Sequence, residues 1–239
     1  MPGRADRVVA VVIPAYQAAA TIADVVTRTH RAAPAATVYV VDDGSRDGTG
    51  EEAGKREAGG GRVATVLVHP RNLGKGAALA TGIAAALAHG AAVIVTLDAD
   101  GQHPPEEIPR LVAPVLARTA DLVLGARERS GTMPLGRRCT NWLSAALASR
   151  VGGSPVPDAQ TGFRALSRRA AETVRPREHR YDFETAFLLE ALARGLAVRS
   201  VPVPTVYEGR PSHFRHWRDT WRLARVFTRY HRAIIFGAR

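Results

Sequence analysis

Short apolar runs alternate with alanine-rich segments along the first half of the chain. The runs cover residues 8–13, 38–41, 63–68, 93–97 and 122–124, and the segments between them cover residues 18–30, 49–58, 75–89 and 105–118. Apolar strands that alternate with helices of this length indicate a parallel sheet. Strands that are apolar throughout are typical of a sheet covered on both faces. We therefore predict an α/β fold, with a mostly parallel sheet and helices on both faces.

Polar or aromatic residues stand at the ends of two of these runs. Pro14 stops the first run and Tyr16 follows it, while Asp42 and Asp43 are adjacent at the end of the second run. An ordinary strand-to-helix turn explains the glycines that follow, but it does not explain two adjacent carboxylates at this place. In open α/β sheets, ligands lie at the carboxyl ends of the strands. These residues therefore predict a binding site at that edge.

The fourth run is followed by two carboxylates, Asp98 and Asp100, one residue apart. Alternation along an extended chain puts both on the same side. Two close carboxylates repel each other unless a proton or a cation lies between them. Mg²⁺ or Mn²⁺ suits such oxygen ligands and can link them to a diphosphate. The pair therefore predicts a metal-dependent site for a nucleotide-activated substrate; two solvated acids in a turn are the alternative for so short a pattern.

Four motifs occur in an order that resembles family 2 glycosyltransferases. They are Val12-Ile13-Pro14-Ala15-Tyr16, Asp42-Asp43-Gly44-Ser45, Arg71-Asn72-Leu73-Gly74-Lys75-Gly76 and Asp98-Ala99-Asp100-Gly101-Gln102-His103. The chain looks most like the branch that contains dolichyl-phosphate mannose synthase and related polyprenyl-phosphate glycosyltransferases. The resemblance implies a GT-A (Rossmann-like) domain over residues 1–210, and inverting transfer of a sugar from a nucleotide diphosphate.

The resemblance also implies roles for individual residues. Asp98, Asp100 and Gln102 would bind Mg²⁺ or Mn²⁺ together with the diphosphate, and Asp100 is a catalytic candidate. The implied donor-binding residues are Pro14, Ala15, Tyr16, Gln17, Asp42, Asp43, Gly44, Lys75, Gly76, Asp98 and Ala99. Gln17 departs from the family pattern, in which many relatives carry Asn. Lys75 begins a helix and either contacts phosphate or lies in solvent. GDP-mannose and UDP-glucose are the leading donors by resemblance.

Arginines form the implied acceptor site. In the resembling enzymes, residues at the positions of Arg127 and Arg137 meet the acceptor phosphate, and Asn141 follows on the same predicted helix. The planar guanidinium suits this role because it binds phosphate oxygens in pairs. Residues 158–164 resemble the family's Asp-x-x-Thr-Gly-Phe-Arg segment below the acceptor site, and we expect Asp158 to orient an arginine rather than to act on the substrate. Glu184 matches a family position without an assigned role.

The predicted acceptor is a polyprenyl or dolichyl phosphate. A hydroxyl acceptor needs a general base, whereas a phosphate monoester, with a second pKa near ~6, arrives largely deprotonated. Beyond the acidic residues of the site, no base stands out in the sequence. Two alternatives remain: a glycosyltransferase that acts on a hydroxyl, and a non-catalytic protein that binds a nucleotide or a membrane.

The last residues, 211–239, predict a basic amphipathic helix. Six arginines recur at spacings of three and four, beside a face rich in Trp, Phe and Ile. This pattern is typical of a helix that lies on a membrane surface, and also of a helix that packs its apolar face on the protein domain. The net charge of +11 favours anionic partners such as an anionic membrane surface. We expect a cytoplasmic enzyme, peripheral at the membrane face or recruited by a membrane partner subunit, and no nucleic-acid partner.

Overall fold

The computed structural model describes residues 8–55, 63–127, 145, 149, 156–178, 180 and 182–204. Within these residues, the strands are β1 Val9–Ala15, β2 Thr37–Asp42, β3 Thr65–Val68, β4 Val93–Thr96, β5 Leu122–Arg127, β6 Arg164–Ser167 and β7 Val198–Val203. The helices are α1 Ile22–Ala32, α2 Thr49–Ala53, α3 Lys75–Ala88, α4 Ile108–Leu116, α5 Arg168–Thr173 and α6 Phe183–Ala193. A 3-10 turn, Pro105–Glu107, leads into α4.

All the described strands form one mixed sheet in the order β3-β2-β1-β4-β6-β5-β7. The pairings are parallel except those of β6, which runs antiparallel to β4 and to β5. The predicted mostly parallel sheet is thus confirmed, and the five predicted runs correspond to β1–β5. The sequence analysis did not predict β6 or β7, which are interrupted by Arg164, Arg199 and Pro202.

Hydrophobic cores lie on both faces of the sheet. Successive residues of β1 point to opposite faces, so Val11 belongs to one core and Val12 to the other. The core that contains Val11 packs against α1 and α4, and the core that contains Val12 packs against α3, α5 and α6. This arrangement confirms the prediction of helices on both faces.

The strand registers bring several strand ends to one edge. Ala15 pairs with Asp42, and Val12 pairs with Thr96. The carboxyl ends of β1, β2 and β4 therefore lie together, and β5 ends at the same edge because β6 is antiparallel to both β4 and β5. The segment before Arg164 enters β6 from this side. We call this side the carboxyl edge of the sheet.

Some element boundaries differ from the sequence prediction. Helix α1 begins at Ile22 rather than Ala18, because Gln17 has a positive φ of 53° and the Ala18 carbonyl accepts the N–H groups of Thr21 and Ile22 in a turn. Residues 205–239 lie outside the described residues, and so do the predicted C-terminal helix and the predicted domain boundary at residue 210. None of the described helices has the length and apolar character to cross a membrane.

Candidate active site

The loops that follow β1 and β2 are joined by hydrogen bonds at the carboxyl edge. The Gln17 N–H donates to Ser45 Oγ at 3.0 Å, and the Ala18 N–H donates to Thr49 Oγ1 at 2.8 Å. The two loops therefore form one continuous wall. Tyr16 stands in this wall with 47% of its surface exposed, so its ring is free to contact a ligand.

Asp43 organises the loop that leads into α3. Its side chain is buried, and its oxygens accept the N–H groups of Leu73 at 2.9 Å and Gly74 at 2.8 Å. His69 Nδ1 lies 2.7 Å from the same carboxylate. These contacts occupy the carboxylate, so Asp43 fixes the position of Lys75 at the start of α3.

Asp42 shapes the loop between β2 and α2. It is buried, and its Oδ1 accepts the Ser45 N–H at 2.9 Å. The adjacent Gly44 has a φ of +72°, and a Cβ there would lie 2.5 Å from the backbone carbon of Arg71. Only glycine satisfies both conditions without strain. The glycine therefore lets the β2 loop approach the β3 loop closely.

Asp98 lies directly against the backbone of the segment that enters β6. A Cβ built on Gly162 would fall 2.5 Å from Asp98 Oδ1 and 2.6 Å from Oδ2. Thr96 Oγ1 donates to the Gly162 carbonyl at 2.7 Å and fixes that backbone against β4. The Asp98 carboxylate is thus confined on one side by a glycine.

Lys75 confines Asp98 on another side. Its ammonium lies 2.7 Å from Asp98 Oδ1 and 2.6 Å from Glu184 Oε1. Burial alone would lower the pKa of Lys75, but the two carboxylate charges outweigh burial and raise it above its ordinary value. Burial likewise opposes ionisation of Asp98, and the Lys75 charge lowers the Asp98 pKa below its ordinary value. Both groups are therefore charged at neutral pH.

Asp100 and Gln102 continue this loop. The Gln102 N–H donates to Asp100 Oδ1 at 2.9 Å, while much of the Asp100 surface remains exposed. The pKa of the Asp100 carboxyl is raised because the surrounding protein removes water and because Asp98 adds a second negative charge. A cation placed between the two carboxylates would relieve that repulsion.

The donor set fits Mg²⁺ or Mn²⁺ shared with a substrate. Among the described residues, no group of three or more His, Cys, Asp or Glu side chains forms a metal site from protein atoms alone. Mg²⁺ usually takes one or two carboxylates and completes its shell with water and substrate phosphates. Asp98 and Asp100 match that pattern.

Arg127 ends β5 and is oriented by Asp158. Arg127 Nε donates to Asp158 Oδ2 at 2.7 Å, and Arg127 Nη2 donates to Asp158 Oδ1 at 3.2 Å. Burial would raise the pKa of Asp158, but the Arg127 charge lowers it below the ordinary value. The expectation that Asp158 orients an arginine is thereby confirmed.

Arg164 fixes the segment that carries Asp158. It is fully buried and donates to the carbonyls of Ala159, Thr161 and Glu184 at 2.9, 2.8 and 2.6 Å. Burial lowers its pKa to about 10, so it remains charged at neutral pH. The guanidinium thereby joins the segment before β6 to the start of α6.

His103 is a buried imidazole beside these charges. Only 4% of its surface is exposed, and neither ring nitrogen has a hydrogen-bond partner among the described residues. Its ring centre lies 5.6 Å from that of Phe163. Burial lowers the His103 pKa, although Asp98 and Asp100 act in the opposite direction. The ring is therefore neutral at physiological pH.

The structure brings most predicted site residues to the carboxyl edge. Tyr16, Gln17, Asp100, Gln102 and Arg127 present at least part of their surface there. Of the other predicted donor-binding residues, Pro14, Ala15, Gly76 and Ala99 are buried. Arg137 and Asn141 lie outside the described residues, so their predicted acceptor role stays a prediction.

Sequence reasoning missed several residues of the site. It gave no role to Gly162, His69 or His103, and it did not predict that Glu184 pairs with Lys75. The pattern of apolar residues carries no signal for the Lys75–Glu184 pair, because its members belong to helices far apart in sequence. The adjacent Thr161-Gly162 was the available signal for the close approach to Asp98.

Comparisons with known proteins give matches in both sequence and fold. The model of the family "Glycosyl transferase family 2" matches residues 10–175. The chain is 30% identical over 222 residues to the UDP-N-acetylglucosamine–dolichyl-phosphate N-acetylglucosaminyltransferase of Methanococcus voltae, which covers 85% of this chain and 87% of the relative. It is 33% identical over 202 residues to the undecaprenyl-phosphate mannosyltransferase of Micrococcus luteus, with 82% of each chain covered.

The fold resembles that of glucosyl-3-phosphoglycerate synthase from Mycobacterium tuberculosis. The structure of that enzyme with Mn²⁺, UDP and glucosyl-3-phosphoglycerate superposes with a TM-score of 0.70 at 26% identity, and the match covers 94% of this chain and 80% of the synthase. The likeness confirms the predicted GT-A-like architecture of the described core.

Proposed function

We propose that this chain, which belongs to glycosyl transferase family 2, transfers a hexose from a nucleotide diphosphate to a polyprenyl phosphate. The family and its relatives establish that it is a glycosyltransferase. The proposal adds the acceptor, the inverting course of the reaction and the use of Mg²⁺ or Mn²⁺.

The observation that carries the proposal is the position of Arg127. The arginine ends β5 at the carboxyl edge, where Asp158 orients its guanidinium. Its charge reaches Asp98 and contributes to lowering the pKa of that carboxyl. A planar guanidinium oriented in this way suits the oxygens of a phosphate monoester beside the donor diphosphate.

The donor diphosphate would meet the two carboxylates that follow β4. Asp98, Asp100 and Gln102 would hold Mg²⁺ or Mn²⁺, which offsets the negative charge that builds on the leaving diphosphate. Lys75 keeps Asp98 ionised, and Gly162 leaves room for its carboxylate. The wall that contains Tyr16 would face the nucleoside.

The charged groups of the site favour an acceptor that needs no general base. Asp98 and Glu184 share the Lys75 ammonium, and Asp158 is paired with Arg127. Each of these three carboxylates is therefore occupied by a cation and poorly suited to take a proton, and Asp100 would be occupied by the metal. A phosphate monoester arrives largely deprotonated, so its oxygen can attack the anomeric carbon directly and invert its configuration.

The donor is proposed from the relatives. A relative named as a mannosyltransferase supports a mannosyl donor, for which we propose GDP-mannose, and the synthase structures that contain UDP-glucose support that donor as the alternative. The exposed ring of Tyr16 would contact the base, while the buried Asp42 and Asp43 shape the loops around it.

A membrane-surface location completes the proposal. The relatives named above act on polyprenyl or dolichyl phosphates, and such acceptors reside in a bilayer. The arginine-rich residues 211–239 would bind an anionic membrane at its cytoplasmic face, with or without a membrane partner subunit.

A small phosphorylated acceptor is the second candidate. The Mycobacterium tuberculosis synthase has been crystallised with Mn²⁺, UDP and phosphoglyceric acid, and its fold covers nearly all of this chain. Arg127 would serve a soluble phosphate as well as a lipid phosphate, so the acceptor must be tested directly.

Sugar transfer from labelled donors tests the proposal. The full chain is incubated with GDP-mannose or UDP-glucose, Mn²⁺, and either a short polyprenyl phosphate or phosphoglyceric acid. We expect metal-dependent label in the lipid fraction, and its loss in Asp100→Ala. The exposed Asp24→Ala, whose carboxylate pairs only at the surface with Arg28, is the matched control and should retain activity.

Each contrary result has a distinct meaning. Label on phosphoglyceric acid and none on lipid would replace the first acceptor with the second. Nucleotide binding without transfer to any acceptor or to water, over a broader donor panel, would contradict an enzymatic role.

A further inference from the structure

Three charged side chains, two of them half-buried and one buried, meet beneath the carboxyl edge. The Lys75 ammonium lies between Asp98 Oδ1 and Glu184 Oε1, at 2.7 and 2.6 Å. The exposed fractions of the three side chains are 18% for Lys75, 21% for Asp98 and 5% for Glu184. Asp98 belongs to the proposed metal site, whereas Glu184 is more deeply buried.

The position of Lys75 would disfavour its positive charge if Asp98 and Glu184 were absent. Lys75 is the first residue of α3, where the helix dipole disfavours a cation. Burial of an ammonium adds a further cost. Asp98 and Glu184 offset both costs. Glu184, in contrast, lies in the first turn of α6, where the dipole favours an anion.

Within the described part of the chain, one carboxylate oxygen of Glu184 lacks a hydrogen bond, which is unfavourable for a residue whose role is only to stabilise the fold. Its Oε2 atom is buried and makes no hydrogen bond to any described residue. A buried carboxylate with a free oxygen is costly. The Glu184 charge acts on the buried Arg164, and Glu184 Oε1 contacts the Lys75 ammonium, through which it reaches Asp98.

We propose that Glu184 is a positioning residue that acts on the metal–diphosphate site through Lys75. It holds the ammonium against Asp98 and offsets its positive charge, so that Asp98 keeps both its orientation and its attraction for a divalent cation. This inference rests on the proposed function, because it assumes that Asp98 binds the cation.

Mn²⁺ affinity, measured by the electron paramagnetic resonance signal of free Mn²⁺, tests the inference. The titration uses the full chain with UDP and with GDP in excess, and continues with the nucleotide that the wild type binds. Glu184→Gln keeps an acceptor for Lys75 but removes the negative charge. Because residues that support metal ligands typically change affinity by 10–100-fold when mutated, we expect about tenfold weaker Mn²⁺ binding.

A double-mutant cycle separates positioning from a general structural effect. If Glu184 acts through Asp98, Glu184→Gln should weaken Mn²⁺ binding in the wild type but add nothing to Asp98→Asn. The matched control is Glu190→Gln on the same helix, because Glu190 pairs with Arg194 away from the site. That variant should bind Mn²⁺ as the wild type does.

A second variant covers the case in which Glu184→Gln does not fold. Lys75→Met/Glu184→Met replaces the ion pair with apolar groups, an exchange that buried pairs often tolerate. Because this variant removes the ammonium that orients Asp98, we expect Mn²⁺ binding to weaken about tenfold, as in Glu184→Gln.

The outcomes are distinguishable. Wild-type Mn²⁺ affinity in Glu184→Gln, or a loss that adds fully to that of Asp98→Asn, would overturn the positioning role while leaving the proposed function in place. So would wild-type Mn²⁺ affinity in a folded Lys75→Met/Glu184→Met. A wild-type chain that binds neither nucleotide with Mn²⁺ would instead overturn the proposed function, and the positioning role with it.

Discussion

Gly162→Ala adds one methyl group directly against Asp98. The new Cβ would lie 2.5 and 2.6 Å from the two carboxylate oxygens, so the contact must open by about one ångström to reach van der Waals distance. The Gly162 backbone is fixed by the hydrogen bond from Thr96 and by the start of β6. The carboxylate therefore has to move, and with it the contact to Lys75.

The expected effect on catalysis is larger than the effect on folding. Overpacking of this kind typically costs about 1–3 kcal/mol of stability. Because a displacement near 1 Å at a reacting centre can cost about 100-fold in rate, we expect kcat to fall by about 10–100-fold and the Mn²⁺ requirement to rise. The measurement is metal-dependent sugar transfer over a range of Mn²⁺ concentrations, with thermal unfolding alongside.

Gly54→Ala is the matched control for this substitution. A Cβ at Gly54 would lie 3.4 Å from the Gly50 carbonyl, an ordinary contact at the end of α2 and away from the carboxylates. It should leave kcat and the Mn²⁺ requirement unchanged. If Gly162→Ala also retained wild-type kcat and Mn²⁺ dependence, the reasoning that Asp98 must stay in its present position would be refuted.

Three further predictions concern the loops and ion pairs. Asp43→Ala leaves the buried N–H groups of Leu73 and Gly74 without their acceptor, and should lower stability by about 2–4 kcal/mol in urea denaturation and weaken nucleotide binding; unchanged stability would contradict this. The pKa of Asp158 in the folded protein lies below its unfolded value of about 3.9. The ion pair with Arg127 therefore contributes its full stabilisation above about pH 5, and this stabilisation is lost as the pH falls through the folded-state pKa. The wild type should therefore lose more stability on acidification than Asp158→Asn, and parallel urea midpoints from pH 7 to about pH 3 would count against the pair. Removal of divalent ions with EDTA should abolish transfer and either Mn²⁺ or Mg²⁺ should restore it; full activity in EDTA would exclude the proposed use of metal.

The sheet was largely predictable from the apolar runs. Continuous Val and Ile runs identify β1, β2 and β4 because these strands are buried on both faces. Strand β6 escaped prediction because it begins with Arg164, whose charge is compensated by three carbonyls that only the folded chain brings together.

The candidate site was predictable where it follows strand ends. Asp98 and Asp100 directly follow an apolar strand, and the ordered series of four motifs favoured a metal site over two solvated acids in a turn. Glu184 and Gly162 could not be assigned in this way, since their roles depend on contacts with Lys75 and Asp98 that sequence spacing does not reveal. Tertiary contact, rather than local pattern, defines this part of the site.

The acceptor phosphate is the central claim, and one pair of substrates tests it most directly. Labelled sugar transfer to a short polyprenyl phosphate is compared with transfer to the same polyprenol without its phosphate, at equal donor and Mn²⁺. We predict lipid-linked label with the phosphate alone, and its loss in Arg127→Gln. Equal transfer to the free polyprenol would contradict the claim, because the attacking oxygen would then be a hydroxyl and would require a general base.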